Sequence, residues 1–154
     1  MKTAIFLMLF VPPIQSFGQE CAPESQVRQV TDQLFRAMES GDSTSARAVF
    51  HPNARMQTSY IQRSTGKTVL IEGSLDEFIA AIGERKEDLW EERTANYSVH
   101  VDGQLAHIWM DYAFYLNGTF SHCGVNSFHL MCTEGTWQII DVIDTRRSTN
   151  CIDL

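Results

Sequence analysis

Residues 104–147 read QLAHIWMDYAFYLNGTFSHCGVNSFHLMCTEGTWQIIDVIDTRR. Two dipeptides, Asn117–Gly118 and Glu134–Gly135, cut this stretch into three apolar runs. A third dipeptide, Asp102–Gly103, precedes it and is itself preceded by EERTANYSVHV (91–101). Asp-Gly and Asn-Gly are strong hairpin signals, because both central residues of a tight hairpin turn need positive φ. Four consecutive antiparallel strands follow. Each is about 10–14 residues long against a usual 5–6, and strands of that length must coil. A strongly curved sheet is therefore expected, and its concave face needs a cover.

The N-terminal half supplies that cover. Val27, Val30, Leu34, Phe35 and Met38 recur at helical spacing, so residues 24–40 are predicted to form an amphipathic helix ending at Gly41. Asp42 can cap a second helix over STSARAVF (43–50), which stops before Pro52. ARMQTSYI (54–61) and KTVLIEG (67–73) read as two strands joined at Ser64, Thr65 and Gly66. Ser74 opens S-L-D-E, a capping-box pattern, with Phe78, Ile79 and Ile82 behind it, which gives a third helix. The fold class read from this order is α+β: a cone-like, curved antiparallel sheet covered by three N-terminal helices.

The first 19 of the 154 residues stand apart. Lys2, an apolar run from Ala4 to Val11, and small or polar residues near Ser16 and Gly18 have the layout of a secretory signal peptide. The run is too short to span a bilayer, which needs about 20 apolar residues. Export to a bacterial periplasm or the extracellular space is expected, with residues 20–147 as one domain and 148–154 as a tail. The charge is −7 on the whole chain, and no basic run longer than a doublet such as Arg146–Arg147 is present. Nucleic acid is thus excluded as a partner, since phosphate contacts need clustered Lys and Arg. No membrane association is expected once the signal is removed.

Export permits disulfides. Cys123 and Cys132 lie nine positions apart on one expected strand, about 30 Å, whereas a disulfide needs Cα atoms within about 7 Å. Cys21 and Cys151 flank the two ends of the domain, so a terminal staple between them is the expected bridge, with Cys123 and Cys132 as buried free thiols.

FSHCGVNSF (120–128) carries His122, Cys123, Asn126 and two serines inside an apolar strand. Polar tips at such positions are expected to line a cavity where sheet and helices diverge. By alternation, Phe120, His122, Gly124, Asn126 and Phe128 share one face, with Gly124 a candidate bulge. On the preceding strand, His107, Trp109, Asp111 and Tyr115 share a face. On the last strand, Asp144 and Arg146 do.

The order helix, helix, two strands, helix, four long strands is similar to that of the nuclear transport factor 2-like superfamily. FHPNAR (50–55), AHIWMDYAFYLNGTFSHCGVNSFHL (106–130) and WQIIDVIDTRR (137–147) resemble the patterns of its putative lumazine-binding group, with SnoaL-like cyclases as broader relatives. The resemblance implies a cone cavity, no cofactor, and a homodimer formed through the outer sheet face. It also suggests two roles for the cavity. One is binding a small, partly apolar molecule, lined by Trp109, Tyr115, Asn126, Asp144, Arg146 and Arg55. The other is a cofactor-free isomerase, cyclase or dehydratase in which Asp111 or His122 moves a proton. A protein-interaction module using the sheet face is the third reading. His107, His122, His129 and Cys123 show no Cys-x-x-Cys or His-x-x-x-His spacing, so no metal site is expected.

Overall fold

The computed structural model describes Cys21, residues 24–84 and residues 88–153. The signal-peptide reading of residues 1–19 and the last residue of the tail lie outside the described residues. The elements run α1 (Glu24–Ser40), α2 (Ser43–Ala48), β1 (Phe50–Ile61), β2 (Thr68–Gly73), α3 (Leu75–Glu84), β3 (Trp90–Asp102), β4 (Leu105–Leu116), β5 (Thr119–Thr133) and β6 (Thr136–Arg146). The six strands form one sheet in the order β2-β1-β6-β5-β4-β3, so its two edges stay open. All neighbours are antiparallel except β1 and β6, which run parallel.

Local chemistry explains the boundaries. The Asp42 carboxylate accepts from the Ser45 backbone amide, and the Ser74 hydroxyl accepts from Glu77 N–H, so each caps a helix start. α2 is shorter than its sequence suggests. The sheet claims Phe50, whose backbone pairs with Ile139, while Val49 O accepts from Ile139 N–H. Pro52, which has no N–H to donate, sits where β1 breaks register between Phe50 and Arg55. Asn117–Gly118 and Glu134–Gly135 both take positive φ at each position, as two-residue hairpins with the I′ twist do. The remaining hairpin turns on Gly103–Gln104 instead of Asp102–Gly103, since Asp102 already pairs with Leu105.

The core lies between the concave face and the helices. Val27, Leu34 and Met38 of α1 and Ile79 and Ile82 of α3 pack with Ile108, Met110, Phe128, Leu130 and Ile139 of the sheet. Three long strands carry an extra residue each. β3 shifts register between Ala95 and Ser98, β5 between the partners of Phe114 and Tyr115, and β6 between the partners of His129 and Leu130. Such bulges bend the strands and re-aim the side chains beyond them.

The cysteines correct the expected pairing. Cys21 bonds to Cys132, with Cα atoms 6.0 Å apart, and Cys123 bonds to Cys151 at 5.8 Å. No described cysteine is free. Cys132 shares the helix-covered face with Phe128 and Leu130, so it meets the approach to α1. Cys123 is on the other face, where the chain beyond β6 doubles back. Arg147 and Cys123 exchange both backbone hydrogen bonds at 2.9 Å. Alternation therefore separates the two cysteines of β5 and sends each to a different terminal segment.

Candidate functional site

Sheet and helices diverge toward the end of the cone that holds the β4–β5 hairpin, and a cavity of ≈ 590 Å³ remains there. Its walls are mostly apolar: Leu34, Phe35 and Met38 from α1, Phe78 from α3, and Trp90, Phe114 and Phe128 from the sheet. Its floor is polar. Glu92 of β3, Tyr112 of β4, His122 and Asn126 of β5, and Asp144 and Arg146 of β6 all line it.

Strand register assembles this floor. Glu92 lies opposite Phe114, and Phe114 lies opposite His122. Asn126 lies opposite Met110 on one side and Asp144 on the other. Gly124 lies opposite Tyr112, and the space left by its missing side chain is filled twice over. A Cβ there would fall 1.7 Å from Thr145 O and 2.8 Å from the Tyr112 ring. Gly124 is thus a close-approach glycine, and the bulge is at Ser121. The Tyr112 ring crosses it to place its hydroxyl 2.9 Å from Asp144 Oδ2 and 3.0 Å from Thr145 O.

The polar groups form a linked set. Asn126 Nδ2 donates to Glu92 Oε1 at 2.5 Å. Arg146 Nε donates to Asp144 Oδ2 at 2.9 Å. Asn126 and Asp144 are buried. Glu92 is half-buried, and the part that remains open faces the cavity. Burial pushes its carboxyl from the ordinary 4.5 up to about 7; the Asn126 amide pulls it down, the Asp144 charge adds to the rise, and Arg146 opposes it. Burial also pushes the Tyr112 hydroxyl well above the usual phenol range, helped by the Asp144 charge. It stays a protonated donor. His122 is pulled below the usual imidazole range by burial and by Arg146, against Asp144. The floor therefore holds an imidazole biased toward its neutral form, a phenol, an amide, an ion pair, and a carboxyl raised toward neutrality.

Of the residues singled out in the sequence, the cavity brings together His122, Asn126, Asp144 and Arg146. It does not include Asp111, Trp109, Tyr115 or Arg55. Asp111 accepts from Asn96 Nδ2 at 2.8 Å on the outer face, and Trp109 is 46% exposed there. Tyr115 packs edge-on against Phe120 beside a second depression of ≈ 360 Å³, lined also by residues 148–153 of the tail. Arg55 pairs with Asp141 at 3.0 Å on the sheet surface. The bulge at Ser121 explains the reversal. Counted out from Asn117–Gly118 without it, Trp109 would face Asn126 and Asp111 would face Gly124. With it, Met110 and Tyr112 take those places, and Phe120 parts from His122. Glu92 and Tyr112 are the functional candidates that sequence reasoning missed. The even-numbered run Ile108, Met110, Tyr112, Phe114 was the available signal, as the more apolar face of β4.

Solved structures share this architecture. A protein of unknown function with a cystatin-like fold from Nostoc punctiforme superposes with a TM-score of 0.63 at 9% identity, covering 84% of this chain and 96% of that one. A nuclear transport factor 2-like protein of unknown function from Shewanella baltica gives 0.60 at 16% identity, with 81% and 94% covered. Another such protein, from Pseudomonas putida, gives 0.63 at 17%, with 82% and 89% covered. The chain thus has the α+β fold of these nuclear transport factor 2-like proteins. Residues 22–142 match the family described as "Putative lumazine-binding", and the chain belongs to that family. Among curated proteins nothing matches.

Proposed function

We propose that the protein binds a small, flat, mostly apolar molecule in the cone cavity, with one hydrogen-bonding edge set on the polar floor. The observation that carries this is the division of one cavity into aromatic walls and a floor of alternating acceptors and donors: Glu92, Asn126, Asp144 and Arg146. Its volume falls within the range of about 300–1,000 Å³ usual for ligand sites. Aromatic rings such as Phe114 and Phe128 suit a planar ligand. A fused bicycle with alternating N–H and C=O groups would satisfy that floor, and the family description makes lumazine the natural first probe. Titration with lumazine, read by quenching of Trp90, should saturate in the wild type and weaken by at least about tenfold in Asn126→Ala. Equal binding by the two proteins would refute this placement.

Proton transfer is the second reading, favoured by the placement of Glu92 in the cavity, where it accepts from Asn126 Nδ2 and burial raises its carboxyl. Glu92, in place of Asp111, would take a proton from the bound molecule while Arg146 offsets the charge that develops. The cofactor-free isomerase, cyclase or dehydratase would then leave binding intact and lose turnover in Glu92→Gln.

Export is supported by the N-terminal layout and by the two disulfides. Among the described residues no helix is long and apolar enough to cross a membrane. The homodimer is a proposal from the family resemblance. Pairing through the outer face would cover Trp109, and light scattering of the purified chain tests it.

A further inference from the structure

Away from the cavity, one row of side chains crosses the outer face. His100 of β3 is opposite His107 of β4, His107 is opposite His129 of β5, His129 is opposite Asp141 of β6, and Asp141 is opposite Arg55 of β1. Three of the chain's five histidines therefore sit on adjacent strands in one register. They share no local sequence motif, because 22 positions separate His107 from His129. We propose that His107 and His129 together chelate a divalent transition-metal ion on the outer face of the sheet, with Asp141 backing His129.

The spacing fits. The His107 and His129 ring centres are 4.9 Å apart, with planes at 35°. A metal about 2.1 Å from a ring nitrogen sits about 3.2 Å from the ring centre, so ligand angles of roughly 90–109° place two ring centres about 4.5–5.2 Å apart. The strands themselves impose this spacing, so the pair is held by the sheet before any ion arrives. One nitrogen of His107 is already hydrogen-bonded, and a carboxylate stands beside one nitrogen of His129. His107 Nε2 lies 3.0 Å from Ser127 Oγ, which leaves Nδ1. His129 Nδ1 faces Asp141 Oδ2 across 3.6 Å, too long for a hydrogen bond, so Nε2 is the ring nitrogen away from the carboxylate. Asp141 is itself held by Arg55 at 3.0 Å. A carboxylate behind a histidine is the support that metal-ligating imidazoles use to fix their orientation and raise their basicity.

The rest of the row limits the ion. His100 stacks on His107 at 6.3 Å and bonds through Nε2 to Ser98 Oγ at 3.0 Å, so it stands outside the pair. Among the described residues no group of three or more His, Cys, Asp or Glu side chains is arranged to hold a metal ion. The site is a two-imidazole chelate, with its other positions left to water. That donor set suits Cu²⁺, Ni²⁺ or Zn²⁺ and gives nothing to Mg²⁺ or Ca²⁺.

Calorimetric titration of the disulfide-bonded protein with Zn²⁺ at pH 7.5 tests the site, with Cu²⁺ followed by electron paramagnetic resonance as a second readout. One ion per chain is expected. His107→Ala and His129→Ala should each weaken it by at least about tenfold, and Asp141→Asn by about tenfold. His100→Ala and His51→Ala should stay within about twofold of wild type. The Cu²⁺ spectrum should show coupling to two imidazole nitrogens, reduced to one in either single variant. Should an alanine variant fail to fold, His107→Gln and His129→Gln repeat the comparison at nearly constant size. No saturable binding, or binding unchanged in the His107 and His129 variants, would overturn the proposal.

Discussion

Glu92→Gln should make the protein more stable at high pH and leave it unchanged at low pH. Glu92 has its carboxyl raised from 4.5 to about 7, chiefly by burial. Between those values the folded protein holds the proton and the unfolded chain does not, so stability falls as pH rises through this window. The full rise corresponds to about 3 kcal/mol, and water in the cavity screens part of it, which leaves about 2 kcal/mol. Gln carries no charge and keeps an oxygen for the Asn126 amide, now 2.5 Å from Glu92 Oε1. At pH 8 the variant should therefore melt about 5–10 °C above wild type, and at pH 4.5 within about 1 °C of it. Thermal melts of both proteins across pH 4.5–8, without reductant, give the difference directly, because every other titrating group is common to both. An equal offset at all pH values, or a wild type more stable at pH 8, would refute a carboxyl whose proton is held by the cavity floor.

Other outcomes follow from the same geometry. His122 is pulled below the usual imidazole range, so the folded protein takes its proton only at lower pH than the unfolded chain does. That contribution to stability is present above the ordinary imidazole range and is lost as pH falls through it; imidazole NMR titration should place the His122 midpoint below that of the same residue in the denaturant-unfolded chain. Gly124→Ala would set a Cβ 1.7 Å from a backbone oxygen and should cost at least about 3 kcal/mol, whereas Gly73→Ala, whose Cβ meets its nearest neighbour at 3.7 Å, should be tolerated in denaturant melts. Non-reducing peptide mapping should recover Cys21–Cys132 and Cys123–Cys151; a Cys21–Cys151 peptide would contradict the fold of the tail. Cys151→Ser together with Cys123→Ser should lower stability by roughly 3–4 kcal/mol, the loop-closure figure for the 28 residues spanned.

The curved sheet was legible because Asn117–Gly118 and Glu134–Gly135 announce their own turns, and because the apolar spacing of α1 matches one helical face. The four cavity residues on β5 and β6 were legible for the same reason, as their alternation is unbroken from His122 to Phe128. What could not be read was any position beyond a bulge. Ser121 and the Asn96–Tyr97 pair each insert a residue without a composition signal strong enough to locate it, and one inserted residue exchanges the two faces of a strand. Asp111 and Trp109 were thereby lost to the outer face, while Glu92 and Tyr112 were gained. The disulfides turn on the same rule, since Cys123 and Cys132 are nine residues apart and so point to opposite sides. The histidine row is invisible to spacing rules because its members are joined by register alone.

Native mass spectrometry of the protein purified from its own host tests the central claim most directly. A small molecule should remain bound to the wild type, and it should be absent from Thr58→Trp, whose indole would project from the cavity wall into the space now open. An empty wild type that also fails to take up lumazine, or the same retained mass in both proteins, would mean that the cavity above Glu92 and Asn126 is not where this protein holds its ligand.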